Sequence, residues 1–196
     1  MKRNLMLMMA GVLLIVLTGF VVAQQGIHES GQGLEDGEIA GSRVRVVAGN
    51  YVGEGGQQIR VNMMENNQCR LEVGGVGADC PFNLTQEQFE NRTRLNMALS
   101  NGRNAEVKVM PNVASETALQ RLRLKDCSGN CSIELKEVGA GENARAAYEV
   151  KTQRSSRVFG IFRVRMNVQA QVDAETGEVI RTNKPWWAFL ASEPEE

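Results

Sequence analysis

"FRVRMNVQAQV", Phe162 to Val172, decides how this chain is read. Phe162, Val164, Met166, Val168, Ala170 and Val172 fall on one side of a strict alternation, and Arg163, Arg165, Asn167, Gln169 and Gln171 on the other. A period of two is the signature of a strand with one buried and one wet face. The polar row reads as a solvated face that an acidic partner could use. "DAETGE" then reverses the chain, because Asp and Gly supply the local hydrogen bond and the positive φ of a tight turn. "VIRT" returns as the next strand. Asp173, Glu175 and Glu178 bring oxygens together there, but their ligand density is too low for a calcium loop.

Upstream, "SIELKEV" and "AAYEVKTQ" read as two further strands. Before them, Val113, Ala114, Ala118 and Leu122 of "VASETALQRLRL" recur at helical spacing, Leu119 broadens the stripe, and Asn112 is placed to cap the first turn. A short amphipathic helix covering the apolar face of a sheet follows.

Between Arg43 and Met110 the period is again two. Val44 and Val46 share a face, as do Ile59, Val61 and Met63, and Cys69, Leu71 and Val73. Registers are tested by whether apolar residues meet, since a slip of one residue moves them to opposite faces. A turn centred on Asn66 sets Met63 against Cys69, Val61 against Leu71 and Ile59 against Val73. One between Gly74 and Gly75 sets Val73 against Val76, Leu71 against Ala78 and Cys69 against Cys80. A turn at Glu90–Asn91 pairs Leu84 with Met97 and Phe82 with Leu99. In "SNGRN" an odd-length loop centred on Gly102 pairs Leu99 with Ala105, Met97 with Val107 and Leu95 with Val109, whereas a two-residue loop wastes Met97 on Glu106. These hairpins read as one antiparallel meander with a single apolar face.

Four cysteines, Cys69, Cys80, Cys127 and Cys131, read as two disulfides. A wide "VGGV" loop favours the first by making it a non-hydrogen-bonded cross-strand pair, where side chains lie closer. "CSGNC" closes a small loop. Zinc is the rival reading, but Cys69 and Cys80 are too widely spaced for the usual second half of a four-cysteine site.

Lys2 and Arg3 precede an apolar run from Leu5 to Ala23, a secretory signal that is either cleaved after Val21-x-Ala23 or retained as a membrane anchor. The expected segments are thus a signal or tether at 1–23, a glycine-rich linker at 24–42, a meander at 43–110 and a helix-and-sheet unit with an aromatic tail at 112–190. His28, the only histidine, falls in the linker, which leaves no natural base near neutral pH for nucleophilic catalysis. A formal net charge of −1 does not favour nucleic acid. "GGVGAD" and "GAGEN" lack the strand-to-helix setting of a phosphate loop. No cofactor or metal is expected. Asn83 and Asn91 sit in glycosylation triplets, as does Asn130 inside the small cysteine loop.

Trp186, Trp187, Phe189 and Leu190 form the densest aromatic cluster. Pro185 stops the preceding strand. The cluster reads first as a clasp closing one end of the core, with one tryptophan more buried than its neighbour. A partner-facing patch and docking at a membrane surface are the alternatives; the acidic "EPEE" that follows opposes the last.

A short helix, "IELKEV", "AAYEV" and a long strand ending "VDAETGEVI" together resemble the PepSY domain. The resemblance covers about residues 112 to 182 and departs from a minimal version at "CSGNC" and at "RSSRVFGIF". It implies one helix on a small antiparallel sheet, and a propeptide-like or cell-envelope module that binds or inhibits peptidases. It offers no catalytic residues. The expected fold class is therefore α+β: an antiparallel β-meander followed by a PepSY-like unit of one helix on a small antiparallel sheet. The expected function is a non-enzymatic, exported or membrane-tethered envelope module with a protein or peptide partner, and a tether through residues 5–23. A structural envelope component and a carboxylate-based hydrolase are the other classes.

Overall fold

The computed structural model describes residues 43–65, 68–81, 83–125, 127 and 131–192. The expected signal and linker, with His28, lie outside the described residues, as do Asn66, Phe82 and Asn130. The strands are β1 (Val44–Arg45), β2 (Gly49–Val52), β3 (Gln58–Met63), β4 (Cys69–Val73), β5 (Val76–Cys80), β6 (Leu84–Phe89), β7 (Arg92–Ala98) and β8 (Asn104–Glu106). After the helix α1 (Pro111–Leu122) come β9 (Ser132–Val138), β10 (Arg145–Val158), β11 (Phe162–Asp173), β12 (Val179–Asn183) and β13 (Ala191–Ser192).

The expected fold class is corrected here. The described residues are 55% strand and 14% helical, and they build two sheets. One is β1-β6-β7-β8. The other runs β12-β11-β10-β9-β5-β4-β3-β2, with β13 added on β10. The chain is not a meander followed by a helix on a small sheet. The hairpins β2–β5 join β9–β12 in one sheet through a parallel contact of β5 with β9, at Asp79 and Glu134. Meanwhile β6–β8 leave to form the smaller sheet with β1. Pro81, which has no N–H to donate to a ladder, stands at that departure. Among the described residues, one isolated parallel bridge, Gly53 to Thr93, links the two sheets.

Both sheets and α1 contribute to one apolar cluster that includes Leu71, Leu84, Met97, Leu122, Leu135 and Val168. Pro111 occupies the first turn of α1, where its missing N–H costs nothing. Met110 is the N-cap and makes no side-chain cap bond, so the capping role expected of Asn112 is not filled. The buried stripe is Pro111, Ala114, Ser115, Ala118 and Leu122. Val113, expected on it, is exposed. The helix starts two residues earlier than expected, while Ala114, Ala118 and Leu122 hold their expected places on the buried face.

The registers at the first two turns are as read: Met63 with Cys69, Val61 with Leu71, Leu71 with Ala78, and Cys69 with Cys80. Both disulfides are formed, with Cα–Cα distances of 5.0 Å for Cys69–Cys80 and 5.3 Å for Cys127–Cys131. The wide "VGGV" loop is not. Gly74 and Gly75 alone make the turn, with φ of 60° and 80°, the successive positive values that match the twist of a two-residue hairpin. Leu84 pairs with Met97 as expected. The "SNGRN" loop has the expected odd length but sits one residue earlier, so Met97 faces Ala105 rather than Val107. The bonds from Leu99 N–H to Arg103 O and from Gly102 N–H to Leu99 O close it around Asn101.

Candidate functional site

Two strands position two of the three regions of interest. β10 and β11 pair without a break from Ala147–Asp173 to Val158–Phe162. Along their first half they are flanked on both sides, by β9 up to Lys151 and by β12 from Gln169 onward. Beyond that they run on as a two-stranded ribbon. β13 touches β10 only at Arg157 and Val158, and no described strand pairs with the outer edge of β11 from Phe162 to Val168.

Glu149 lies on the outer face of the flanked half and is only 3% exposed. Lys136 Nζ and Lys151 Nζ each lie 2.6 Å from its Oε1. Gln171 Nε2 donates to Oε2 at 3.0 Å, and Gln169 donates to the same oxygen. Burial pushes this carboxyl up, but the hydrogen bonds from Lys136, Lys151 and Gln171 outweigh it and hold the group at about 2. Such a carboxylate stays ionised near neutral pH and has no proton to give as a general acid. Glu149 was missed in the sequence. Its signal was an acid set between Tyr148 and Val150 in an apolar strand. Gln169 and Gln171, read as part of a solvated face that an acidic partner could use, are held by it.

A second region joins the two sheets. Arg94 bridges Glu54 and Glu106, at 2.6 Å and 3.2 Å, and Lys108 reaches Glu106 and Glu175, both at 3.5 Å. The Arg94 hydrogen bond holds Glu54 below the usual carboxylate range. Glu54, Arg94, Glu106 and Lys108 rim a groove of about 510 Å³ floored by Leu95 and Val107. Each acid is tied to a base, so the groove has the character of a salt-bridged seam.

The ribbon differs from both. Its turn, Phe159-Gly160-Ile161, closes through Ile161 N–H to Val158 O. Phe159, Ile161 and Phe162 are 67%, 74% and 64% exposed. The burial expected for the alternating face of β11 begins only at Met166; Phe162 is exposed and Val164 half-buried. After β12 the chain crosses the ribbon as a 3₁₀ segment, Trp186–Leu190, and ends as β13 on the far edge of β10. Phe159 N–H donates to Leu190 O, which ties this strap to the tip.

The other residues singled out in the sequence are placed as follows. Trp187 is half-buried against the core, while Trp186 and Phe189 are 82% and 76% exposed. Trp187, Ala188 and Ala191 pack against the core, and two of the four large side chains face outward. Asn83 donates from Nδ2 to Ala98 O at 2.6 Å, so its amide is committed to the backbone. Asn91 is exposed in the β6–β7 turn. Asp173 accepts from the N–H groups of Glu175 and Thr176 at 2.8 Å and 3.1 Å, and Gly177 has a φ of 79°, the turn read from "DAETGE". Among the described residues no group of three potential ligands could hold a metal, and no helix is long and apolar enough to cross a membrane.

Compared with models of protein families, with curated proteins and with solved structures, the chain matches none.

Proposed function

We propose that this chain is an exported, non-enzymatic binding module of a cell envelope, and that it holds an extended segment of a protein or peptide along the outer edge of β11. The observation that carries this reading is the open edge from Phe162 to Val168, seven residues of ladder with no described strand beside them. Such an edge offers main-chain donors and acceptors to an added strand, and alternate side chains of the guest then meet the host's two faces. Native proteins usually blunt or cover edges of this length. The two disulfides are consistent with an oxidising compartment and so with export. The likeness of "YEV" and "VDAETGEVI" to PepSY domains supports a binding role, and a restrained peptidase is the partner it suggests.

The test is site-specific photocrosslinking in the native envelope, using the full chain. A crosslinking residue at Asn167, on the open edge, should give a discrete protein adduct. The same residue at Asn62, on β3 between paired strands, should give none. Equal labelling at both positions, or none at Asn167, rejects strand addition.

A further inference from the structure

We infer that the guest strand at the β11 edge is an alternating segment, apolar on its inner side and acidic on its outer side, with two acids spaced two residues apart opposite Arg163 and Arg165. The inference rests on the strand-addition reading and adds which sequences that edge selects.

The first observation is the pattern of the edge. From Phe162 to Val168 the side chains of β11 alternate, and Arg163, Arg165 and Asn167 are exposed on the outer face. On the inner face Phe162 is exposed and Val164 half-buried. A strand laid beside β11 sets its own side chains roughly 4.5–5.5 Å, Cβ to Cβ, from the residues directly opposite. One row of the guest therefore meets Phe162 and Val164 and covers apolar surface left open by the fold. The other row meets the two arginines.

The second is that these two arginines are uncommitted. Among the described residues, none forms a hydrogen bond or ion pair with Arg163 or Arg165. Their cationic neighbours differ: Lys151 is tied to Glu149, and Arg154, Arg157 and Lys184 are engaged with other groups. Across the ribbon Arg165 faces Ser155 and Arg163 faces Arg157. The sequence has no acid between Glu149 and Asp173. Glu149 stands opposite Gln171. Along β11 that is about 20 Å from Arg165 at the rise of a strand, beyond the ~8 Å reach of charge in physiological salt. Glu193, Glu195 and Glu196 lie outside the described residues; they follow β13, which occupies the β10 edge, the one the guest does not use.

The third is what the pattern excludes. Two copies of this edge, paired antiparallel, keep their apolar rows together only when odd-numbered residues meet odd-numbered ones. The register with the longest overlap then sets Arg165 against Arg165. Like charges directly opposite each other are destabilising. The arginines thus guard the edge against a second copy of the chain, as charges on exposed edges do. The same two charges favour a guest with acids in their register, so repulsion and attraction select together.

The test uses the full chain in an uncharged detergent, with a photocrosslinking residue at Asn167, and four labelled peptides. The first is Thr-Val-Glu-Val-Glu-Val-Thr. The second and third carry glutamine or lysine at both acidic positions. The fourth, Thr-Val-Val-Glu-Glu-Val-Thr, has the composition of the first with its acids on opposite faces. Captured adduct should rank the alternating acidic peptide up to about tenfold above its glutamine form, as two cross-strand charge pairs allow. The permuted peptide should fall below the first, and the lysine form should be weakest. Bulk attraction does not produce this order, because the chain's net charge is −1. Arg163→Glu with Arg165→Glu should reverse it in favour of the lysine peptide, with the far-ultraviolet circular dichroism unchanged. Equal capture of all four peptides overturns the inference and leaves strand addition standing. So does a ranking that survives the double substitution, or a permuted peptide captured as well as the first. Capture of none of them at Asn167 removes strand addition itself, and this inference with it.

Discussion

Two halves of one hairpin behave as different materials. In the flanked half, between β9 and β12, the inner side chains of β10 and β11 are buried to the last atom and the outer face closes over Glu149. In the projecting half the same strands, with the same alternation, leave Phe162 exposed and Val164 only half covered. The ladder between the two strands is continuous throughout. Burial is therefore set by the neighbours on either side, and strand pairing alone does not provide it.

The largest effect expected from that contrast is on packing. Leu135 on β9 is 1% exposed, and Leu135→Ala should cost about 2–5 kcal/mol through lost contacts and a cavity. Phe162→Ala at the ribbon tip should change stability by no more than about 0.5 kcal/mol. Chemical denaturation of the two variants side by side measures the difference, and similar losses would break the comparison.

Acid comes next. Glu149 has its folded value depressed to about 2, so its contribution to stability is fully present above the ordinary carboxylate range and is lost as pH falls through that window towards 2. The ordinary value is 4.5. With Lys136 and Lys151 partly in solvent, the contribution should be about 2 kcal/mol. Unfolding free energy of the wild type should drop between pH 4.5 and pH 2, and Glu149→Gln should flatten that segment. An unchanged slope would mean that the network does not favour the ionised form.

Amide exchange should sharpen the boundary itself. Protection on β11 should fall by roughly a hundredfold between Ala170–Val172 and the open stretch before Val168, because only the former lies between two strands. The smallest effect belongs to Tyr148. Its hydroxyl is buried with no hydrogen-bond partner among the described residues, and burial raises its pKa. Tyr148→Phe should be neutral or stabilising by up to about 1 kcal/mol, since it removes a desolvated group that has no bond to lose. A clear destabilisation in thermal melts would reveal a partner for that oxygen.

Much of the local order was legible. The alternation in "CRLEV" and the glycine pair after it fix Cys69 opposite Cys80, because only that register keeps apolar residues on one face. What alternation cannot report is which strand lies next door. β5 and β6 each have an apolar side, yet β5 takes β9 as its neighbour while β6 turns to β1 and β7. That is why the expected single meander became parts of two sheets. The tryptophans show the same limit on a smaller scale. Adjacency implied that one would be more buried than the other, but only the crossing of the ribbon decides that it is Trp187. Glu149 escaped notice because its four partners come from three strands.

The parallel contact between β5 and β9 has a consequence in time. The hairpins β2–β5 are local in sequence and can close on their own, within microseconds once their turns form. Their union with β9 must wait until β6–β8, α1 and the residues up to Cys131 have all been made, because those segments lie between the two strands. Contacts of such long sequence separation slow folding, and the loop between them must be ordered before any reward is gained. While the chain is being synthesised, β5 presents a bare edge with the Cys69–Cys80 link already able to hold its register. Refolding should therefore show a fast phase for the N-terminal hairpins and a slower one for assembly of the large sheet, and the interval between them is when this protein is most exposed to pairing with the wrong strand.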